Sequence, residues 1–456
     1  MSFWDYFQIA AHILGLFIAF NALFQSRTPQ GALAWFVGLV GFPLVAIPTF
    51  VVFGRRRYHE ESPEPSFQFP KPAVVVHEKE SLAEFERFLK HTGFSFTHSN
   101  SIKLLIDGHD IYREMLADLE KAETYIILQV FIFRTDETGQ KFADILMKKA
   151  REGVKVYVLY EKFLIKMSEK VLDEMREAGI HLGLFKPFTR NKFHLNFRNH
   201  RKILVVDGKA GYFGGMNIGD DYVGKYPEIG HWRDTNVRIC GPALIPAQKA
   251  FAKDWLASQG TEADIDWVAP ACDGNANVLV FSSGPIEEKP LCLLHHIALV
   301  DLARDRLWIA NPYIVPPQSL LDALAMAALR GVDVRILVPS TSDNFLITAV
   351  ADIYYERLIS YGIRIFKYDN GFMHQKVMLV DNILGVVGSA NLDFRSMYIN
   401  FEITTASSDV TFIKSVEEMF LEDFTHAVEI DMQQLKQKPL HKKIIERGTN
   451  LLAPVL

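Results

Sequence analysis

Three cysteines in 456 residues, Cys240, Cys272 and Cys292, are too few and too scattered to staple a fold. An odd number cannot all pair and none forms a C-x-x-C. That excludes a disulfide scaffold and a structural zinc, and it fits buried, inert thiols in a reducing compartment. Neither sign of charge dominates: 49 Lys and Arg stand against 54 Asp and Glu. A generic polyanion binder is thereby excluded, but phosphate chemistry at a local basic site is not. The chain also lacks H-E-x-x-H and clustered carboxylates, the spacings that a hydrolytic metal centre needs.

Charge is missing altogether from parts of the N-terminus. Phe7–Phe24 is apolar apart from Gln8, His12 and Asn21, and Gly31–Phe53 holds no charged residue. The second stretch exceeds about 20 residues, enough at ~1.5 Å per residue to cross a ~30 Å hydrocarbon layer. No basic segment precedes the first stretch, which argues against a secretory signal; a pair of buried core helices is the other alternative. Only Gln25–Gln30 separates the two, so a two-helix transmembrane hairpin is expected, kinked at Pro43 and Pro48, with His12 and Asn21 facing the partner helix. Arg55-Arg56-Arg57 follows at once and by the positive-inside tendency keeps the remainder cytoplasmic.

A Pro-rich linker comes next, and helical patterning begins at the Ser81-Leu-Ala-Glu capping box. Strand-like runs then alternate with helical ones: Thr124–Phe133 strand, Gly139–Glu152 helix, Val154–Tyr160 strand, Met167–Ala178 helix, Lys202–Val206 strand. Continuous apolar strands between helices indicate an α/β fold with a mostly parallel sheet covered on both faces. The order recurs: Gln129-Val-Phe-Ile is answered by Asn311-Pro-Tyr-Ile, Glu152-Gly-Val-Lys-Val by Arg330-Gly-Val-Asp-Val, and Ala178-Gly-Ile-His by Tyr361-Gly-Ile-Arg. Two copies mean duplicated domains rather than a solenoid. The expected organisation is a hairpin over 1–57, a linker over 58–80, and domains over 81–265 and 266–456, with Pro270, Asp273 and Gly274 at the boundary.

The sharpest repeat is His200-Arg-Lys202-Ile-Leu-Val-Val-Asp207 and His374-Gln-Lys376-Val-Met-Leu-Val-Asp381, 174 residues apart. Each copy continues at one offset to a small-residue turn and an asparagine: Gly214-Gly215-Met216-Asn217 and Gly388-Ser389-Ala390-Asn391. A histidine can attack phosphorus or move protons near neutral pH, and a lysine two residues on shares its strand face, placed to stabilise phosphate oxygens. Asn217 and Asn391 add neutral donors, and the turns at Gly215 and Ser389 let backbone N–H groups approach an anion. Two lysines in the set argue against a metal, which they would repel. Asp207 and Asp381 end their strands beside Gly208 and Asn382, where turn hydrogen bonding is the simplest role. Asp234, in Trp232-Arg-Asp, and Glu402, in Asn400-Phe-Glu, are better placed to orient imidazoles. His295-His296 has no repeat partner and reads as structural. One histidine per half at a pseudo-twofold interface gives a two-step scheme with a phosphohistidine, and no cofactor is required.

Between Gly179 and His200 the first copy is longer than its counterpart (21 residues against 12), and the extra segment interleaves Lys186, Arg190, Lys192, His194 and Arg198 with Phe185, Phe188, Phe193 and Phe197. It suits an anionic headgroup or a bilayer surface as well as a plain solvated insertion. Lys436–Arg447, ahead of Leu451–Leu456, is a basic amphipathic segment that suits an interface or ordinary packing.

These residues resemble the phospholipase D superfamily, whose H-x-K-x4-D-x6-G-[GS]-x-N signature is matched twice over residues 100–430. The hairpin with its arginines, Asn311-Pro-Tyr-Ile-Val-Pro316, Asn391-Leu-Asp-Phe-Arg-Ser396 and Asn400-Phe-Glu402 narrow the resemblance to bacterial cardiolipin synthases of that type. The resemblance implies duplicated phospholipase D-type domains with pseudo-twofold symmetry, mostly parallel or mixed sheets flanked by helices. It implies condensation of two phosphatidylglycerols to cardiolipin and glycerol at the cytoplasmic face of a bacterial inner membrane, with no nucleic acid as partner. His200 and His374 become nucleophile and acid/base; Lys202, Lys376, Asn217 and Asn391 go on phosphate; Asp207 and Asp381 complete the catalytic set. Gly215 departs from the pattern, since many members carry serine there, and the first half then lacks one hydroxyl donor. A hydrolase, a transferase using another lipid such as phosphatidylethanolamine, and a nuclease share the motif pair.

Overall fold

The structure, a computed structural model, describes residues 2–26, 29–54, 64–67, 69–70, 74, 80–161, 165–185, 197–228, 230–341 and 345–450. Arg55–Arg57, most of the linker, the basic-aromatic residues from Lys186 to His194 and the terminal Leu451–Leu456 lie outside them.

At the N-terminus, Ser2 caps a helix over Phe3–Gln25, accepting from Asp5 N–H while Asp5 accepts from its own, a complete capping box. The chain then folds back antiparallel, with Phe20 edge-on to Phe36 and Gly15 beside Leu39 and Pro43. A Cβ on Gly15 would lie 2.3 Å from the Leu39 carbonyl oxygen, and Ala19 and Ala22 are fully buried. Small residues on one face thus allow close backbone approach, the device by which helices associate where no hydrophobic drive exists. Phe3, Phe17, Phe24, Phe42 and Val45 point outward. Among the described residues, Phe3–Phe24 is long and apolar enough to cross a membrane. The returning arm is not one kinked helix but two, Pro29–Gly41 and Pro43–Phe53. The break falls at Phe42 because the following proline disfavours α conformation in the residue before it. Pro48 is accommodated inside the second piece.

The rest is built on a 15-stranded sheet. At its centre Thr97–Ile106 pairs antiparallel with Thr235–Cys240 on one side and, across a register shift, with Ala276–Ser283 on the other. Outward from Thr97–Ile106 the order is Thr235–Cys240, Ala210–Gly214, Ile203–Val206, Tyr125–Val130, Lys155–Tyr160, His181–Leu184. Outward from Ala276–Ser283 it is Glu402–Ser407, Leu384–Gly388, Val377–Val380, Arg306–Ala310, Asp333–Pro339, Arg364–Tyr368, with Ala427–Glu429 added at the edge. Position by position the two series are the same motif sequence, so the internal repeat becomes a pseudo-twofold through the central pair. Strands and helices fall where the apolar alternation places them, with Glu137–Arg151 and Glu169–Glu177 as the covering helices of the first half.

The expectation of a mostly parallel sheet holds only at the flanks. The three outer repeat strands of each half are parallel, and all other ladders of this sheet are antiparallel. The cause is local. Asp207-Gly208-Lys209 joins Ile203–Val206 to Ala210–Gly214, too short a link for anything but a hairpin. Asp207 (φ +53°) and Gly208 (φ +61°) take the left-handed conformations a tight hairpin needs, and Asp381 (φ +49°) does so in the second half.

Candidate active site

Each motif histidine sits just before an inner strand, and the strand's pleat puts lysine on the same face. Lys202 Nζ donates to the His200 carbonyl at 2.9 Å; Lys376 Nζ donates to that of His374 and lies 3.0 and 3.1 Å from its ring nitrogens. All four side chains are nearly buried.

The carboxylates reach the histidines by crossing the pseudo-dyad. His200 Nδ1 lies 3.0 and 3.1 Å from the two oxygens of Glu402, which belongs to the second half. His374 Nδ1 lies 2.9 Å from Oδ2 of Asp234, in the first. Short ladders enforce the exchange. His200 N–H donates to the Phe401 carbonyl and Phe401 N–H to that of Arg198, both at 2.9 Å. Correspondingly, Phe372 and His374 N–H groups donate to His231 and Arg233 carbonyls at 2.8 Å, forming a parallel pair with Trp232–Arg233.

Burial in this site lowers the His200 imidazole to about 4; Glu402 opposes that lowering and Lys202 adds to it. Burial likewise lowers the Lys202 ammonium to about 7, against the pull of Glu402. Burial pushes the Glu402 carboxyl up, but His200, Lys202 and the Ser389 hydroxyl outweigh it and hold it at about 2. Asp234 too is held below its ordinary value, burial being outweighed by His374 and Lys376.

Several expected phosphate contacts are placed otherwise. Ser389 Oγ donates to Glu402 Oε2 and accepts from Ile403 N–H at 3.0 Å, so its hydroxyl is committed to the carboxylate rather than to an anion. Gly215 occupies the matching place, and a Cβ there would lie 2.2 Å from Asp234 Oδ1. The shorter acid pairs with glycine and the longer one with serine; the missing hydroxyl of the first half is the space its aspartate fills. Asn217 Oδ1 accepts from Ile132 N–H at 3.1 Å, and Asn391 Oδ1 is buried with no hydrogen-bond partner among the described residues.

Asp207 and Asp381 do not join the histidines. Asp207 accepts from the N–H groups of Glu123, Thr124 and Tyr125, and Asp381 from those of Arg304, Asp305 and Arg306. Each sits at the far end of its strand, five residues beyond the lysine and about 16 Å away at ~3.3 Å per residue. Their place in the catalytic set is corrected to turn capping, the role their own sequence context indicates.

Sequence reasoning missed a second pair of acids. The residue between histidine and lysine points to the opposite sheet face. There Arg201 meets Asp254 at 2.6 Å and Gln375 meets Asp423 at 2.7 Å, each aspartate coming from the helix that closes its half. Arg233 adds two bonds to Asp423, at 2.8 and 2.9 Å. The signal was available in the repeat, since both aspartates occupy the closing helix of their copy. His295 and His296 are buried in the core, His295 stacked on Phe281 at 4.1 Å, as a structural pair would be.

Comparison with known proteins agrees in family and fold. A family model described as "Cardiolipin synthase, PLD-like domain" matches residues 115–255 and 296–424. "Cardiolipin synthase A" of Pseudomonas putida is 35% identical, covering 100% of this chain and 98% of that protein. A "Cardiolipin synthase" of Geobacillus kaustophilus is 34% identical, with 100% and 96% covered. The crystal structure of a phosphatidylserine synthase from Haemophilus influenzae superimposes with a TM-score of 0.63 over 83% of this chain and 100% of that one, at 16% identity, which is a likeness of fold.

Proposed function

The chain belongs to the bacterial cardiolipin synthases of the phospholipase D superfamily, and from that membership we propose that His200 and His374 carry a two-step phosphatidyl transfer between phosphatidylglycerols. The enzyme is a phosphatidyl transferase of phospholipid biosynthesis and is membrane-associated. The observation that supports the mechanism is the crossed pair of carboxylate–imidazole contacts, which engages Nδ1 of both rings and so favours Nε2 as the reacting nitrogen.

In the first step Nε2 of one histidine attacks the phosphorus of a phosphatidylglycerol. The P–O bond to the headgroup glycerol breaks, and the other histidine protonates the departing oxygen. In the second step that histidine takes the proton back from a hydroxyl of a second phosphatidylglycerol, whose oxygen displaces the phosphohistidine to give cardiolipin. Lys202 and Lys376 stabilise the nonbridging oxygens throughout, and Asp234 and Glu402 stabilise whichever imidazolium forms. The scheme needs neither metal nor nucleotide.

The Phe3–Gln25 helix and its returning arm are proposed as a hairpin crossing the bilayer twice, leaving the catalytic halves, divided near 265, on the cytoplasmic side. A membrane anchor favours a lipid substrate over nucleic acid. Purified protein in phosphatidylglycerol vesicles is expected to yield cardiolipin and glycerol in equal amounts with no added metal. Phosphatidic acid as the main product would replace the synthase reading with a hydrolase.

A further inference from the structure

The two histidine pockets are equal in chemistry and unequal in surroundings. At three matched positions the His200 side carries a cation or an amide where the His374 side carries an aromatic ring or an acid. Two residues before His200 stands Arg198; two before His374 stands Phe372. Four residues after Asn391 stands Arg395; four after Asn217 stands Asp221, which is ion-paired to Arg134. Two residues before Glu402 stands Asn400; two before Asp234 stands Trp232. Because the halves exchange segments, Arg198 comes from the first half while Arg395 and Asn400 come from the second, and the three segments meet beside the His200–Glu402 pair.

Backbone bonds fix them side by side. The Arg395 carbonyl accepts from Asn400 N–H at 2.8 Å, and the Arg198 carbonyl accepts from the next residue, Phe401, at 2.9 Å. Two residues along, Glu402 grips His200. Arg198, His200 and Lys202 alternate along an extended segment and so share a face, with Arg198 about 6.6 Å along from His200 at ~3.3 Å per residue. Asn400 is nearly buried; its Nδ2 donates to Glu402 at 3.3 Å, and its Oδ1 has no hydrogen-bond partner among the described residues.

Buried carboxyls stand beside both arginines. Glu161 lies 3.8 Å from Arg198, and Asp393 stands near Arg395 with its side chain accepting from Ser396 N–H at 2.7 Å. Burial pushes Glu161 up to about 7 and Asp393 up to about 6. Burial also lowers the Arg395 guanidinium; Asp393 opposes that lowering and Arg198 adds to it, as two like charges brought together do. An incoming phosphate relieves this repulsion. On the opposite side Trp232 packs edge-on against Phe372 at 4.8 Å and Tyr222 at 4.7 Å, an aromatic wall.

We propose that Arg198, Arg395 and Asn400 form a second headgroup subsite on the His200 side, which holds the phosphodiester and a glycerol hydroxyl of the accepting phosphatidylglycerol. This rests on the transfer reaction proposed above and adds what that reaction leaves open: why a lipid rather than water or free glycerol takes the phosphatidyl group. Condensing two phosphatidylglycerols brings two phosphates together across a three-carbon bridge. The histidine–lysine centre holds the one under attack, and the guanidinium pair holds the other, about one glycerol away.

The test compares two outputs of the same phosphatidyl-enzyme in phosphatidylglycerol vesicles. Cardiolipin formation needs both phosphates bound; exchange of labelled free glycerol into phosphatidylglycerol needs one. In R198Q and R395Q the ratio of cardiolipin formation to exchange is expected to fall at least tenfold, and R395K is expected to recover part of it. Millimolar glycerol 3-phosphate, added to the unaltered enzyme, is expected to suppress cardiolipin formation more than exchange; this reading does not depend on a variant folding. A ratio that stays constant in the variants and under the phosphate probe overturns the subsite. An unaltered enzyme that gives neither product overturns the transfer reaction itself, a separate result.

Discussion

The His200–Glu402 and His374–Asp234 pairs are built from one repeated pattern, and they differ by one methylene in the acid and one hydroxymethyl group beside it. On one side a glutamate is steadied by Ser389; on the other an aspartate presses against Gly215, where no side chain fits. The substitution at 215 and the choice of acid at 234 are therefore one change, not two. The comparison teaches that duplicated sites drift in coupled sets: a longer acid with a hydrogen-bond donor, a shorter acid with an empty place.

The harshest way to break the comparison is to delete either imidazole. His200→Ala and His374→Ala are each expected to lower cardiolipin formation by roughly 10³-fold or more, and the double variant is expected to be scarcely worse, because the two act as a unit. Near-normal activity in either single variant would dissolve the shared site. Next come the crossed acids. Glu402→Gln and Asp234→Asn are each expected to cost about 10²- to 10⁴-fold in kcat by leaving the ring tautomer unsupported. Loss in both directions would confirm that each half depends on the other's carboxylate.

Smaller effects probe the supports. Gly215→Ala is expected to displace Asp234 and to cost about 1–3 kcal/mol in thermal or denaturant unfolding, as overpacking does, together with activity. Ser389→Ala removes a donor and leaves Ile403 N–H without its acceptor, for about 1–3 kcal/mol, and weakens only the His200 side. The smallest expected effect is a shift in pH dependence. In the free enzyme kcat/KM is expected to fall below pH about 4 as His200 gains a proton, and above about 7 as Lys202 loses its own. Lys202→Arg cannot lose its charge in that range, so whatever activity it keeps is expected to persist at higher pH. An unchanged alkaline limb would show that another group sets it.

Most of this architecture was legible in the chain. The doubled motif announced two equivalent halves, and the apolar runs located their strands and helices, because both depend on local spacing. What stayed hidden depends on which distant segment a residue meets. Asp234 and Glu402 were identifiable as acids fit to orient imidazoles, but that each serves the opposite half arises from the Arg198–Phe401 and Phe372–Trp232 ladders, which join residues 140 to 203 positions apart. Ser389 looked like a phosphate donor because its turn does suit an anion; only packing shows its hydroxyl turned toward Glu402. The sheet's direction went astray for a simpler reason. Apolar strands between helices read as parallel, and the short Asp207-Gly208-Lys209 link, which makes the centre antiparallel, overrides that pattern locally.

The continuity of the central sheet, with Thr97–Ile106 hydrogen-bonded to both halves, has a consequence for how such an enzyme can change. Neither copy holds a complete acid–histidine pair, so neither can lose or refine its function in private. A substitution in either acid retunes the imidazole of the other copy, across a seam of continuous strand pairing. The tandem arrangement is in effect a marriage of two subunits that can no longer live apart: severed near Pro270, the fragments are expected to regain activity only when they re-form that seam together.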